Sequence, residues 1–254
     1  MLRSRIIPCL LVHKKGLVKT RKFKDPKYVG DPINAVKIFN EKEVDELMVL
    51  DIDASREKRG PDFTLIKNLA VECRMPFCYG GGVTTVEEAK KIITLGAEKV
   101  AISSSALNDI SLVEKIGTAV GVQSIVVVID VKKKLLGGYD IYYLNGTRKA
   151  KIKFKDFITR LNEIGVGEIV INSIDQDGEM TGYDLNLVQS VRDLCDVPIT
   201  VLGGAGSLND IKEVINKFKI IGAAAGSLFV FKGKYRAVLI NYPNRSEKMD
   251  LFNK

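Results

Sequence analysis

An internal repeat constrains this chain more than any other feature of its sequence. Glu46-Leu-Met-Val-Leu-Asp-Ile-Asp53 matches Glu168-Ile-Val-Ile-Asn-Ser-Ile-Asp175, and Pro76-Phe-Cys-Tyr-Gly-Gly-Gly-Val83 matches Pro198-Ile-Thr-Val-Leu-Gly-Gly-Ala205. Both pairs stand 122 residues apart (46 to 168, 76 to 198), close to half of the 254-residue chain. Self-similarity at a fixed offset means one structural unit used twice. β-rich runs at 5–12, 46–52, 76–79, 99–103, 124–130, 168–173, 198–202 and 220–225 alternate with stretches of helical period at 32–42, 62–72, 86–95, 111–120, 155–164, 186–193 and 208–216. Such alternation without structureless linkers implies parallel strands joined by crossover helices. An open flavodoxin-like sheet needs neither eight strands nor a repeat. The pattern therefore predicts an α/β fold, a single (β/α)8 TIM barrel over 1–254, with half-barrels at about 1–121 and 122–243. A polar tail over 244–254 carries no readable function.

Composition narrows the classes of function. The chain is 46% hydrophobic and 28% charged, too apolar for disorder. Its longest apolar runs, 125–129 and 220–225, fall far short of the ~20 residues that cross a bilayer. The basic start from Met1 to Pro8 lacks a sustained apolar core, so no signal peptide is expected. Cys9, Cys73, Cys78 and Cys195 form no CxxC pair and read as free thiols of a cytoplasmic protein. A single histidine argues against histidine metal sites and Ser-His or Cys-His triads, so acid–base work falls to Asp, Glu or Lys. No metal and no cofactor is expected. The net charge of +8 admits nucleic acid, anionic lipid or a small anionic substrate. Its basic clusters, Arg3 to Lys24 around the first strand and Lys132–Lys134 after the fifth, lack the aromatic interleaving of nucleic-acid binders. A small anion is the expected ligand, with neither nucleic acid nor membrane as a partner.

Active sites of such barrels lie at the C-terminal strand ends. Gly80-Gly81-Gly82, Ser103-Ser104-Ser105, Gly203-Gly204-Ala205-Gly206 and Gly226-Ser227 all fall there. Glycines admit close backbone approach to an anion, and N–H groups at a helix start point at it. Two pairs related by the repeat suggest two phosphate sites across the mouth; the plainer alternative is that the glycines serve only tight turns. Asp51, Asp53, Asp130, Asp175 and Asp177 also sit at or after strand ends, as candidate bases or hydrogen-bond acceptors. Asp130 stands out because it ends the apolar run 125–129. At the opposite end, Arg5, Glu46, Lys99 and Glu168 each open a strand. With side chains alternating along a strand, Arg5 shares a face with Ile7, Cys9 and Leu11. If that face points inward, the four charges form a ring across the barrel floor, which could be merely an ion-paired seal.

The chain resembles HisF, the cyclase subunit of imidazole glycerol phosphate synthase, over nearly its whole length. Carrying the resemblance are Arg5-Ile-Ile-Pro-Cys-Leu10, Gly30-Asp-Pro32, Asp45-Glu-Leu47, Leu50-Asp-Ile52 with Ala54-Ser55, Gly80-Gly-Gly82, Ile129-Asp130, Ser173-Ile-Asp175 with Asp177-Gly178, Gly182-Tyr-Asp184 and Gly203-Gly-Ala-Gly206. The resemblance implies a HisH-type glutaminase at the N-terminal face of the barrel, whose ammonia passes through it to a ligand with two phosphates. It further implies that Arg5, Glu46, Lys99 and Glu168 form the ammonia gate, and that Gly82 with Ser104, and Gly204 with Ser227, hold the phosphates. Lys19 matches a mobile-loop lysine and Asp130 one of two catalytic aspartates. Asp51, Ser103, Asn172, Asp177, Gly178, Gly203 and Gly226 complete the expected substrate site.

Departures from that pattern lie at the chemistry. Leu11 stands where the family has its other catalytic aspartate, Ser103 where it usually has asparagine, and Asn172 and Asp53 where it usually has threonine. Loss of a positioned acid or base costs about 10²–10⁴-fold. Leu11 together with 51–60 resembles a divergent HisF branch of surface-polysaccharide and nonulosonate gene clusters. There the pair is thought to supply ammonia, with a sugar amidotransferase as a further partner, for making acetamidino sugars. The expectation is a HisF-like synthase subunit for acetamidino-sugar synthesis. The alternatives are a histidine-pathway cyclase, or a non-catalytic scaffold that activates HisH.

Overall fold

The computed structural model describes residues 3–252, so the first two and last two residues of the predicted 1–254 domain lie outside the described residues. Eight parallel strands form the barrel: β1 (Arg5–His13), β2 (Leu47–Asp51), β3 (Phe77–Gly80), β4 (Lys99–Ile102), β5 (Ile125–Lys133), β6 (Glu168–Ser173), β7 (Ile199–Leu202) and β8 (Gly222–Ala225). Each pairs with its neighbour, β8 returns to β1, and β5 pairs with β6, so the sheet closes. This is the (β/α)8 barrel that the repeat predicts. Between the strands run α1 (Pro32–Glu41), α2 (Phe63–Glu72), α3 (Val86–Thr94), α4 (Ser111–Val120), α5 (Phe154–Ile164), α6 (Leu185–Arg192) and α7 (Leu208–Phe218). Runs such as Ile125–Ile129 are continuously apolar because both strand faces are buried, one by helices and one by the lumen.

Two buried layers result. The larger lies between helices and sheet and includes Val36, Phe39, Ile66, Ile92, Ile116, Phe157, Val188 and Ile211. The smaller fills the lumen with Ile7, Cys9, Met48, Cys78, Ala101, Val126, Val128, Val170, Leu202 and Ala224, with Leu11 and Leu50 packed on top. The face shared by Arg5, Ile7, Cys9 and Leu11 therefore points inward.

The repeat reaches into details that strand-matching alone did not expose. Asp62 caps α2 by accepting from Leu65 N–H, and Asp184 caps α6 through Leu187 N–H, again 122 residues on. Thr85 with Glu88 and Ser207 with Asp210 form matching capping boxes on α3 and α7. Ile52 N–H donates to Val12 O at 3.0 Å, and Ile174 N–H to Val131 O at 2.9 Å. Lys14 N–H donates to Asp53 Oδ2, and Lys133 N–H to Asp175 Oδ2, each at 2.8 Å. These two sets of bonds fix the correspondence of β1 to β5 at an offset of 119, so Leu11 is the repeat mate of Asp130.

Both of those strands run on into hairpins that no periodicity in the sequence marks. β1 continues into Gly16–Arg21 and Lys24–Gly30, and β5 into Tyr139–Tyr143 and Arg148–Lys149. Lys24–Gly30 is exposed or half-exposed throughout and so offers no apolar alternation to read. The polar tail is likewise a helix, α8 (Arg245–Phe252), which buries Leu251 against the core. Asn244 and Glu247 cap it reciprocally, and Lys248 reaches Asp45. Asn244-Arg-Ser-Glu247 was the one legible signal there, in a stretch otherwise too polar to suggest packing. No helix among the described residues is long and apolar enough to cross a membrane.

Candidate active site

At the barrel floor Arg5, Lys99 and Glu168, which open β1, β4 and β6, close a ring with Glu46, one residue before β2. Arg5 bonds both Glu46 and Glu168 (Nη2 to Glu168 Oε1, 2.9 Å), and Lys99 Nζ bonds Glu46 Oε1 at 2.7 Å and Glu168 Oε2 at 2.8 Å. Each carboxylate thus bridges both cations. Burial alone would raise Glu168, but Arg5 and Lys99 outweigh it and hold it below the usual carboxylate range. The Thr200 hydroxyl, wholly buried, adds a bond to Glu168 that no sequence signal marks. Gly222 leaves it room, since a side chain there would collide with the Thr200 hydroxyl. Above the ring the lumen is apolar as far as Leu11 and Leu50.

At the opposite end lies a cavity of about 140 Å³. Lys19, Asp51, Gly82, Ser103, Ser104, Asp130, Asn172, Asp177, Gly178, Gly203, Gly204, Gly226 and Ser227 all line it. Strand ends bring them together: β4 and β5 deliver Ser103, Ser104 and Asp130, β6 delivers Asn172, and the turns after β3, β7 and β8 deliver the glycines. Burial pushes Asp130 up to about 7; the Asn172 amide, donating to Asp130 Oδ1 at 2.9 Å, pulls the other way, and Asp177 adds to the rise. An acid of that strength suits proton transfer near neutral pH.

Several of these residues also serve the fold. Asp51 is gripped bidentately by Arg59 at 2.7 and 2.9 Å and accepts the Asp53 and Ala54 N–H groups, closing the loop after β2. Gly82 sits against Arg59 and Gly60, and Gly204 against Gly182, the same contact one repeat later. The close turns expected of these glycines are thus present. Gly178 admits Thr20 and Arg21 of the first hairpin. Asp53 and Asp175 lie outside the cavity lining and tie down the strand ends instead; Asp53 also bonds His13 Nδ1 at 2.8 Å.

The segment carrying Lys19 is an ordered hairpin folded over the mouth. Thr20 Oγ1 donates to Asp177 Oδ2 at 2.7 Å, Phe23 N–H donates to the same oxygen at 3.1 Å, and Arg21 pairs with Glu179. Lys19 is buried, donates to Cys9 O beside Gly226, and is pulled below the usual lysine range by burial. From the other side the second hairpin supplies Leu144 and Asn145 to the lining, with Asn145 donating to Ile52 O. Thr20, Phe23, Leu144, Asn145 and Arg59 had no sequence signal, because they act through loops without periodicity.

A mouth lined by glycines, serines and carboxylates, set over an ion-plugged apolar lumen, defines a (β/α)8 barrel with polar groups at both ends. The chain belongs to the histidine biosynthesis protein family, whose model matches residues 5–236, and within it to the HisF group. It is 57% identical over 249 residues (98% of this chain, 96% of the relative) to a Vibrio vulnificus protein provisionally named imidazole glycerol phosphate synthase subunit hisF3. A Leptospira interrogans protein, provisionally named as the HisF subunit of the same synthase, is 54% identical over 253 residues (99% and 100%). The imidazole glycerol phosphate synthase subunit HisF of Alkaliphilus metalliredigens is 37% identical over 229 residues (90% and 91%).

Proposed function

We propose that this chain is the ammonia-receiving subunit of a glutamine-dependent synthase. A HisH-type glutaminase docks on the barrel floor, and ammonia crosses the ring of Arg5, Glu46, Lys99 and Glu168. It then travels the apolar lumen to an anionic substrate held at the mouth, phosphorylated or a sugar nucleotide. The observation that carries this reading is the closed charge ring beneath an apolar lumen that ends at Asp130. Charges so placed contribute little net stability, whereas a gate for a small neutral molecule needs both the plug and the dry path above it. In the complex with its glutaminase, Glu46→Ala is expected to uncouple glutamine hydrolysis from product formation while sparing activity with ammonium salts. Equal loss with both nitrogen sources overturns the gate.

For the end product we favour acetamidino-sugar synthesis, with a sugar amidotransferase as the further partner, in the cytoplasm. Leu11 supports this, since it removes one of the two aspartates that the HisF resemblance places at the mouth. Relatives provisionally named at 54–57% identity, against 37% for an unqualified HisF, are in keeping with a separate branch. A histidine-pathway cyclase is the second reading, favoured by the family match itself. Robust growth of a HisF-deficient strain carrying this chain on minimal medium would select it. Glutamine-dependent amidination by the purified chain, its glutaminase and the sugar amidotransferase would select the first.

A further inference from the structure

The repeat exposes an asymmetry at the level where lumen meets mouth. Leu11 on β1 lies in register with Leu50 on β2, and Asp130 on β5 lies in register with Asn172 on β6. Leu11 corresponds to Asp130 at the offset of 119, and Leu50 to Asn172 at 122. Two equivalent places in the fold thus carry an apolar pair in one half and a hydrogen-bonded acid–amide pair in the other. On the polar side two atoms have no partner: Asn172 Oδ1 and Ser103 Oγ are both buried without a hydrogen bond, and both residues line the cavity. Asn172 is only 5% exposed. A buried acceptor left unpaired keeps the full cost of its lost hydration, so each such atom calls for a ligand.

We infer that Ser103, Asp130 and Asn172 form a one-sided subsite for a small N–H donor, ammonia or ammonium, while Leu11 and Leu50 form an apolar wall opposite that offers it no bond. The inference rests on the ammonia-receiving reading and deepens it. Below this level the lumen is apolar, so ammonia leaving it meets unpaired acceptors at the ends of β4 and β6, beside Asp130 of β5. Asn172 Nδ2 is spent on Asp130 and fixes that carboxyl. Its Oδ1 and the Ser103 hydroxyl remain to accept, and Asp130 Oδ2 supplies charge. Other titratable groups facing the cavity are Lys19 from the first hairpin, Cys9 from β1, Asp51 from β2 and Asp177 from the loop after β6. None of these is the acid–amide pair's partner, and Lys19 and Asp51 are already engaged with Cys9 O and Arg59.

The full chain, labelled with ¹³C at aspartate carboxyls, tests this by NMR titration of Asp130. Ammonium chloride, compared with tetramethylammonium chloride at equal ionic strength, is expected to lower the Asp130 midpoint by at least half a pH unit. Asn172→Ala and Ser103→Ala are each expected to abolish that difference, while a buried-site control, Cys195→Ala, keeps it. No ammonium-specific shift in the unaltered chain, or an equal shift in both variants, overturns the subsite. The Glu46→Ala experiment reads the channel separately. Uncoupling there without an ammonium shift sinks the subsite alone, and a shift without uncoupling sinks the channel while leaving an amine site.

Discussion

Asp130 shows how far one residue's environment follows from position. Its placement at the end of an apolar strand run is visible in the sequence, because only the mouth end of such a run is polar. Its acidity is not, because that depends first on burial in the assembled barrel, then on Asn172, 42 residues away, and on Asp177. A carboxyl raised to about 7 in the fold, against about 3.9 unfolded, favours the folded state only while protonated. Its contribution is therefore fully present below pH ~4 and is lost as pH rises through about 7. Asp130→Asn should leave stability unchanged near pH 4 and gain progressively to pH 7, levelling above it at up to about 4 kcal/mol. Urea unfolding of the two proteins at each pH from 4 to 8 measures this, since the other titrations cancel in the difference. A gain independent of pH would mean that the carboxyl is not desolvated. His13 and Arg59 mark the limit of residue-level reading. Both matter by closing loops onto Asp53 and Asp51, and no spacing rule connects the partners.

Among the elements, the barrel strands and helices were legible because each buries an apolar face with its own period. The two mouth hairpins were not. The first is held mainly by polar bonds to the loop after β6, with Asp177 at their centre. Burial raises Asp177, and the Thr20 hydroxyl and Phe23 N–H offset part of that rise. A hairpin held this way has low local stability and is suited to opening for a ligand. Asp177→Ala removes the two side-chain bonds but keeps the Lys22 N–H to residue-177 carbonyl bond, which is backbone only. Amide exchange over 16–30 should quicken about 10- to 100-fold, equivalent to about 1.4–2.8 kcal/mol of opening free energy, with the barrel strands unaffected. Unchanged exchange would show that the hairpin's own buried Lys19 anchors it instead. The same substitution should leave the floor ring intact, since the ring rests on strand openings at the other end.

For the whole molecule the repeat predicts more than the fold. Its two halves contribute equivalent glycine turns, Gly82 on Gly60 and Gly204 on Gly182, each followed by a capped helix. Ser104 and Ser227 complete the two places from single-turn helices at Ser104–Asn108 and Ser227–Val230. The sequence displayed this two-fold plan through its 122-residue offset, yet hid where the halves diverge in use: both floor cations, Arg5 and Lys99, come from the first half, and the acid–amide pair comes from the second. If both turns hold phosphate, a ligand with a phosphate at each end spans the mouth and binds far better than either end alone. At 100 times its Kd such a ligand adds about 2.7 kcal/mol, or about 5–11 °C in melting temperature for a chain of this size. A ribose 1,5-bisphosphate is a suitable probe, with ribose 5-phosphate at the same concentration as the single-ended control. Ser104→Asp and Ser227→Asp each place a negative charge at one turn. Either one should cut the bisphosphate shift to the size of the monophosphate shift, measured against each variant's own melting temperature. Should only one variant do so, the mouth holds a single phosphate and the second glycine turn serves packing alone. In that event a sugar nucleotide lying across the apolar Leu11–Leu50 side would fit the cavity better than a ligand stretched between the two halves.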